Sequence, residues 1–188
     1  MARVTRNSLL RGISGKLGGL VFRQVGDQTI VSAAAAKENR KPRSPKQQAQ
    51  LDKFAAATRY ARAQMQDPAA AALYATGIDE RHAGAYNVAV ADYLHAPVIT
   101  AVDCPAYPGQ PDQPIRVWAT DNFGVTAVTI RMLTSEGVAL ETGAAIQQPD
   151  GYWQYLPRQA SAVVPGTTLQ VHAIDRPGNV AEVTHLLK

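Results

Sequence analysis

Hydrophobic and polar positions change their period twice along these 188 residues. Near the N-terminus, two β-rich runs, Leu20–Gln24 and Thr29–Ser32, flank Val25-Gly26-Asp27-Gln28. Gly26 can take the positive φ that a tight turn asks for, so the stretch predicts a hairpin. Leu20, Val21 and Phe22 are consecutive, which makes both faces of that hairpin apolar. An isolated two-stranded ribbon cannot cover two apolar faces. The hairpin therefore needs a partner sheet, supplied by the same chain or by another copy. Met1 to Ser14 is basic and polar with no clear period, and disorder is the ordinary expectation for such a terminus.

The period then becomes helical. Ser44-Pro45 with Gln47 three residues after the serine has the form of a capping box, predicting a helix to about Gln66. Leu51, Phe54, Thr58, Ala61 and Met65 recur at three and four and predict its buried stripe. Lys46, Gln50, Lys53 and Arg62 fall opposite. Asp67-Pro68 caps a second, alanine-rich helix that ends near Gly77. A third is expected from Asp79 or Gly84 to His95, with Tyr86, Val90, Tyr93 and Leu94 inward and Pro97 ending it.

After Pro97 the period falls to two. Expected strands are Val98–Asp103, Pro114–Thr120, Thr126–Leu133, Ala139–Ile146, Tyr152–Tyr155, Thr168–Ile174 and Val180–His185. The turn signals PGQPD, DNFG, SEG, PDG, PG and DRPGN separate them. About seven short strands so spaced are the cue for an immunoglobulin-like sandwich. Trp118 and Val128 are expected near its core, with Trp153 on a neighbouring strand. The fold class is thus α+β: an N-terminal β-hairpin and basic arm, about three helices, then a C-terminal immunoglobulin-like β-sandwich. The expected domains are 1–96 and 97–188.

Charge sharpens this division. Residues 1–66 carry 13 Lys and Arg against 3 acids, a net of +10, and the remainder carries a net of −6. Such polarity suits a polyanion surface or head-to-tail attraction between copies. Lys37, Arg40, Lys41, Arg43 and Lys46 form the candidate polyanion contact. Phosphate binding needs several cations on one face, and no stacking aromatics are interleaved here, so nucleic-acid binding would be sequence-independent. A solvated linker accounts for the same charges equally well.

Catalytic patterns are missing from the sequence. His82, His95, His172 and His185 are scattered, and no G-x-S-x-G, H-E-x-x-H or P-loop occurs. We expect no enzyme, no cofactor and no metal site. Asp121 and Asp175 offer too few oxygens for calcium and are read as side-chain caps of their turns. The single cysteine, Cys104, excludes an internal disulfide and reads as a small apolar residue. Leu9-Leu10 is far short of a signal-peptide core, and no run approaches a membrane helix. The expectation is cytoplasmic synthesis, with release only as part of an assembly, by lysis or a dedicated exporter.

Two motif sets are familiar. Ala119-Thr120-Asp121-Asn122-Phe123-Gly124-Val125 and Ala173-Ile174-Asp175-Arg176-Pro177-Gly178-Asn179-Val180 resemble the A-x-D-x-x-G turns of bacterial immunoglobulin-like modules. That resemblance covers about half the chain and implies a binding or spacer role. Gly15-Lys16-Leu17-Gly18-Gly19-Leu20-Val21-Phe22, followed by Pro45-Lys46-Gln47-Gln48-Ala49-Gln50, resembles an uncharacterised group of bacterial and mobile-element proteins. Its G-K-x-G-x-x-V-F hairpin precedes a P-x-x-Q-x-A-Q helix. Ala33–Ala36 stands where that group carries part of a basic run, which weakens a nucleic-acid role.

The resulting expectation is a non-enzymatic structural protein that self-assembles into a filament, tube or virion-like particle. The assembly segment is the hairpin, Leu20, Val21, Phe22, Arg23, Thr29, Ile30 and Val31, and the partner is another copy of the chain. The alternative is a cytoplasmic nucleic-acid-binding protein using the basic arm.

Overall fold

The computed structural model describes residues 2–4, 13–26, 28–34, 42–104, 113–158 and 166–187. The chain divides into two compact units, 1–44 and 45–188. The three described helices fall in the same unit as the sandwich. The α+β class holds.

The first unit is a four-stranded antiparallel sheet in the order β1-β4-β3-β2, from β1 (Ala2–Val4), β2 (Gly15–Leu17), β3 (Leu20–Val25) and β4 (Gln28–Ala33). The expected hairpin is β3–β4, with Val25 opposite Gln28 across the turn. Gly26 has φ +55°, the left-handed conformation that its lack of a Cβ permits. The period gave no sign of β1 or β2. Both are three residues long, too short to show an alternation.

The second unit opens with α1 (Pro45–Gln64), α2 (Pro68–Ala75) and α3 (Ala85–Leu94). Asp67 caps α2 as expected: its carboxylate accepts the Ala69 N–H at 2.9 Å, and Pro68 fills the first turn. The predicted stripe of α1 is only partly buried. Leu51 and Phe54 are exposed, Thr58 and Met65 are half-buried, and Ala57 and Ala61 are wholly enclosed. A face of alanines lets α3 lie close, whereas a Phe54–Leu51 face would hold it off. On α3 the buried positions are Val88, Ala89 and Asp92, while Tyr86, Val90, Tyr93 and Leu94 are half-buried flanks. Ala61, Tyr74, Val88 and Ala89 form the core of this helical pack, with Phe123 from the following sheet region against it.

The strands after Pro97 build two antiparallel four-stranded sheets. One runs β5 (Val98–Asp103), β6 (Ile115–Thr120), β10 (Trp153–Tyr155), β9 (Ile146–Gln147). The other runs β12 (Val180–Leu186), β11 (Thr168–Asp175), β7 (Val125–Leu133), β8 (Ala139–Ala144). Their inner faces share one core that includes Ile115, Val117, Val128, Ile130, Met132, Trp153, Leu169 and Val171. The arrangement is sandwich-like.

Two expectations are revised here. The single strand expected over Ala139–Ile146 changes sheets at Ala145, whose N–H bonds the Val128 carbonyl at 2.8 Å. Trp118 does not join the core, since Val117 is fully buried and a strand turns neighbouring side chains to opposite faces. Trp118 is half-buried and lies against Tyr152 with ring centroids 5.7 Å apart.

Candidate functional site

The N-terminal sheet places the predicted assembly residues on two faces. Phe22 stands opposite Val31, and Leu20 opposite Ala33 and Leu17. With Thr29, opposite Gln24, these occupy one face by strict alternation. Val21, Arg23 and Ile30 occupy the other, with Lys16 beside Val21. Phe22 and Thr29 are buried, and Val21, Ile30 and Val31 are half-buried. The Thr29 hydroxyl donates to the Gln24 amide oxygen at 2.9 Å, so the polar member of the apolar face is satisfied. The sheet end next to the β2–β3 turn is bare: Leu17 is 72% exposed and Leu20 46%. Of the candidate polyanion contacts, Arg43 and Lys46 are exposed, while Lys37, Arg40 and Lys41 lie outside the described residues.

A second constellation lies in the other unit, where α3 meets the loops of the sandwich. The Tyr74 hydroxyl donates to Asp92 Oδ2 at 2.6 Å, and the Tyr60 hydroxyl stands 2.8 Å from that of Tyr74. Since Tyr74 spends its proton on Asp92, Tyr60 donates to Tyr74 and the relay ends on the carboxylate. Burial raises both phenol pKa values above their usual range, furthest for Tyr74. Burial also pushes the Asp92 carboxyl up to about 6, and the charges of Asp121 and Asp175 act the same way.

Both Asp-x-x-Gly turns reach this joint. Asp121 Oδ2 accepts the N–H groups of Phe123 and Gly124, and Asp175 Oδ1 accepts those of Gly178 and Asn179. Each Asp caps its own turn, as read from the sequence. The turns then hold the helices. Phe123 stacks on Tyr74 with centroids 4.6 Å apart, and the Asn179 amide donates to the His95 carbonyl at 3.1 Å. The carbonyls of Asp92 and Tyr93 lie 3.4 and 3.3 Å from the same nitrogen. One side chain thus serves carbonyls at the C-terminus of α3.

Sequence reasoning missed Asp92, Tyr74 and Tyr60. The available signal was an acid at Val88+4, inside an apolar helical face, which is a place where a carboxylate needs a partner. Also missed was a cleft of about 660 Å³ beside β8 and β10, lined in part by Glu141, Gly143, Tyr155 and Arg158. There Glu141 Oε1 accepts from the Tyr155 hydroxyl at 2.6 Å and from the Arg158 N–H at 2.8 Å. A Cβ on Gly143 would overlap the Tyr155 ring, so that glycine is a packing requirement.

Of the histidines, His82 pairs with Asp79 at 2.9 Å, His95 Nδ1 lies 2.8 Å from the Ala91 carbonyl, and His172 stands 3.5 Å from Glu182. Hydrogen bonds from His82, its backbone N–H foremost, hold the exposed Asp79 carboxyl below its usual range. Cys104 is half-buried against the sandwich core, and burial raises its thiol pKa. Among the described residues, no three His, Cys, Asp or Glu side chains converge as a metal site. No helix there is long and apolar enough to cross a membrane, which says nothing of spans built from strands.

No protein-family model matches the chain, and no curated protein matches it. Among solved structures, the chain is similar to CopC from Methylosinus trichosporium OB3b at 17% identity, over 40% of this chain and 74% of that one, with a TM-score of 0.30.

Proposed function

We propose that this is a non-enzymatic structural protein that self-assembles through its N-terminal arm and sheet into a filament, tube or virion-like particle. The observation that carries the reading is the bare end of the N-terminal sheet, where Leu17 and Leu20 are exposed beside the three-residue edge strand β2. Edge strands with unpaired backbone groups accept further strands, and the exposed leucines favour burial by one. The occupant is a second copy. The basic arm of one subunit meets the acidic remainder of the next, in line with the charge split of +10 against −6. The sandwich, with its two Asp-x-x-Gly turns, is a bacterial immunoglobulin-like module that spaces or decorates the assembly. A head-to-tail contact that does not close on itself yields open polymers. Deleting residues 1–36 should convert large particles to monomers in light scattering. Monomers from both proteins at equal concentration would refute the reading.

Exposed Arg43 and Lys46 favour sequence-independent nucleic-acid binding as the second reading. It predicts retardation of DNA or RNA that falls steeply with salt, and its loss when Lys37, Arg40, Lys41 and Arg43 become Ala. Absence of retardation at low salt removes it.

A further inference from the structure

Three carboxylates from three segments come together where the helices join the sandwich, and two of their oxygens are buried without a hydrogen-bond partner. Asp92 is fully buried; its Oδ2 takes the Tyr74 hydroxyl, and its Oδ1 takes nothing. Asp121 spends Oδ2 on its turn, and its Oδ1 is likewise buried and unpartnered. Asp175, 2% exposed, has both oxygens occupied, by the N–H groups of Gly178 and Asn179 and by the Asn179 side-chain amide.

The charged and titratable groups around Asp92 are few. From α2 comes Tyr74, and from α1 come Tyr60 behind it and Lys53, whose ammonium lies 2.9 Å from the Leu94 carbonyl. The β6–β7 turn supplies Asp121, and the β11–β12 turn supplies Asp175 and the exposed Arg176. His95, at the end of α3 itself, sits on the Ala91 carbonyl. Three carboxylates thus face the solvent-screened Arg176 guanidinium, with the Lys53 ammonium spent on the Leu94 carbonyl, and an unpaired buried carboxylate is costly. Both Asp175 oxygens are taken and, among the described residues, no three His, Cys, Asp or Glu side chains converge as a metal site, so the smallest group that relieves Asp92 is a proton.

We infer that Asp92 is a proton-binding site and that the joint between the three helices and the sandwich tightens on mild acidification. Burial, with Asp121 and Asp175 acting in the same sense, places the Asp92 carboxyl at about 6 against an ordinary 3.8, while the Tyr74 bond and Arg176 pull it back. A raised folded-state pKa means that the folded chain holds the proton more tightly than the unfolded one. The stabilisation is complete below the ordinary value and is lost as pH rises through about 6. Near neutrality Asp92 is mostly ionised and the joint is weakened. Toward pH 5 the charge is gone.

Thermal melting of the full chain between pH 5 and 8 tests this, together with a carbon-13 NMR titration of the Asp92 carboxyl. The wild type should melt several degrees higher at pH 5 than at pH 8, and the Asp92 signal should titrate near 6. Asp92→Asn keeps an oxygen for Tyr74 and places an amide where the bare Oδ1 stood. It should lose most of that slope and melt above the wild type at pH 8. Equal slopes in the two proteins, or a titration near 3.8, would overturn the proposal. Should Asp92→Asn fail to fold, Asp121→Asn removes the neighbouring charge and should lower the Asp92 titration midpoint. An unmoved midpoint overturns the proposal as well. Calcium chloride at pH 8 should leave the melting temperature unchanged. A rise seen in the wild type and absent from Asp92→Asn would make the site a cation site and refute the proton assignment.

Discussion

The sandwich and the N-terminal sheet use the same period-two chemistry and reach different ends. In the sandwich, β6, β7 and β11 turn every second side chain inward, and Ile115, Val117, Ile130, Leu169 and Val171 are all but sealed from water. Two sheets face each other there, so each supplies the other's cover. In the N-terminal sheet, Phe22 and Thr29 are the buried members among the described residues, and the leucines at the β2–β3 end stay exposed. Alternation therefore specifies a face but not what covers it. Where a second layer follows in the chain, a core forms. In the N-terminal sheet the apolar side chains of Leu17 and Leu20 stay in water.

The largest expected effect separates the two regions directly. Leu169→Ala empties a fully enclosed site and should cost about 2–5 kcal/mol, seen as a lower midpoint in urea. Leu20→Ser in the N-terminal sheet should move the same midpoint by less than about 0.5 kcal/mol, because the side chain is already half in water. It should lower the particle size in light scattering instead. A large urea shift from Leu20→Ser would erase the contrast between the regions.

A smaller effect tests how the helices are held. Asn179→Ala removes the amide that serves the end of α3 and should cost about 1–2 kcal/mol in thermal melting. Hydrogen exchange should rise in α3 while the β7 and β11 amides stay protected. If α3 exchange is unchanged, the loop is not what fastens that helix. The pH dependence expected from Asp92 acts on the same joint, and Asn179→Ala should leave its direction intact.

Much of the fold was legible because its signals are local. The Asp67-Pro68 start of α2, the Gly26 turn and the two Asp-x-x-Gly turns are decided by side chains within a few residues of the backbone groups they serve. The strands expected after Pro97 match β5 to β12 closely for the same reason, apart from the sheet change at Ala145. The helical faces were harder. Leu51 and Phe54 carry the larger apolar surface, yet Ala57 and Ala61 are buried, because close approach of α3 selects small side chains. In the hairpin, the strands over Leu20–Val25 and Gln28–Ala33 were legible, whereas the burial of Phe22 and Thr29 and the exposure of Leu20 were not. The Asp92–Tyr74–Tyr60 relay joins three helices and has no spacing of its own.

The chain alone determined the succession of hairpin, helices and later strands, the α+β class, the turn chemistry and the separation of a basic from an acidic region. These follow from period, caps and composition, which need no distant partner. Tertiary structure decided which neighbours the helices keep. Phe123 stacks on Tyr74, and Asn179 bonds carbonyls at the end of α3, so the helices belong to the unit of the sandwich. It also decided that Asp92 is buried with one oxygen unanswered. Contacts between residues some 50 to 90 positions apart set both outcomes, and their energies appear only when the segments are packed.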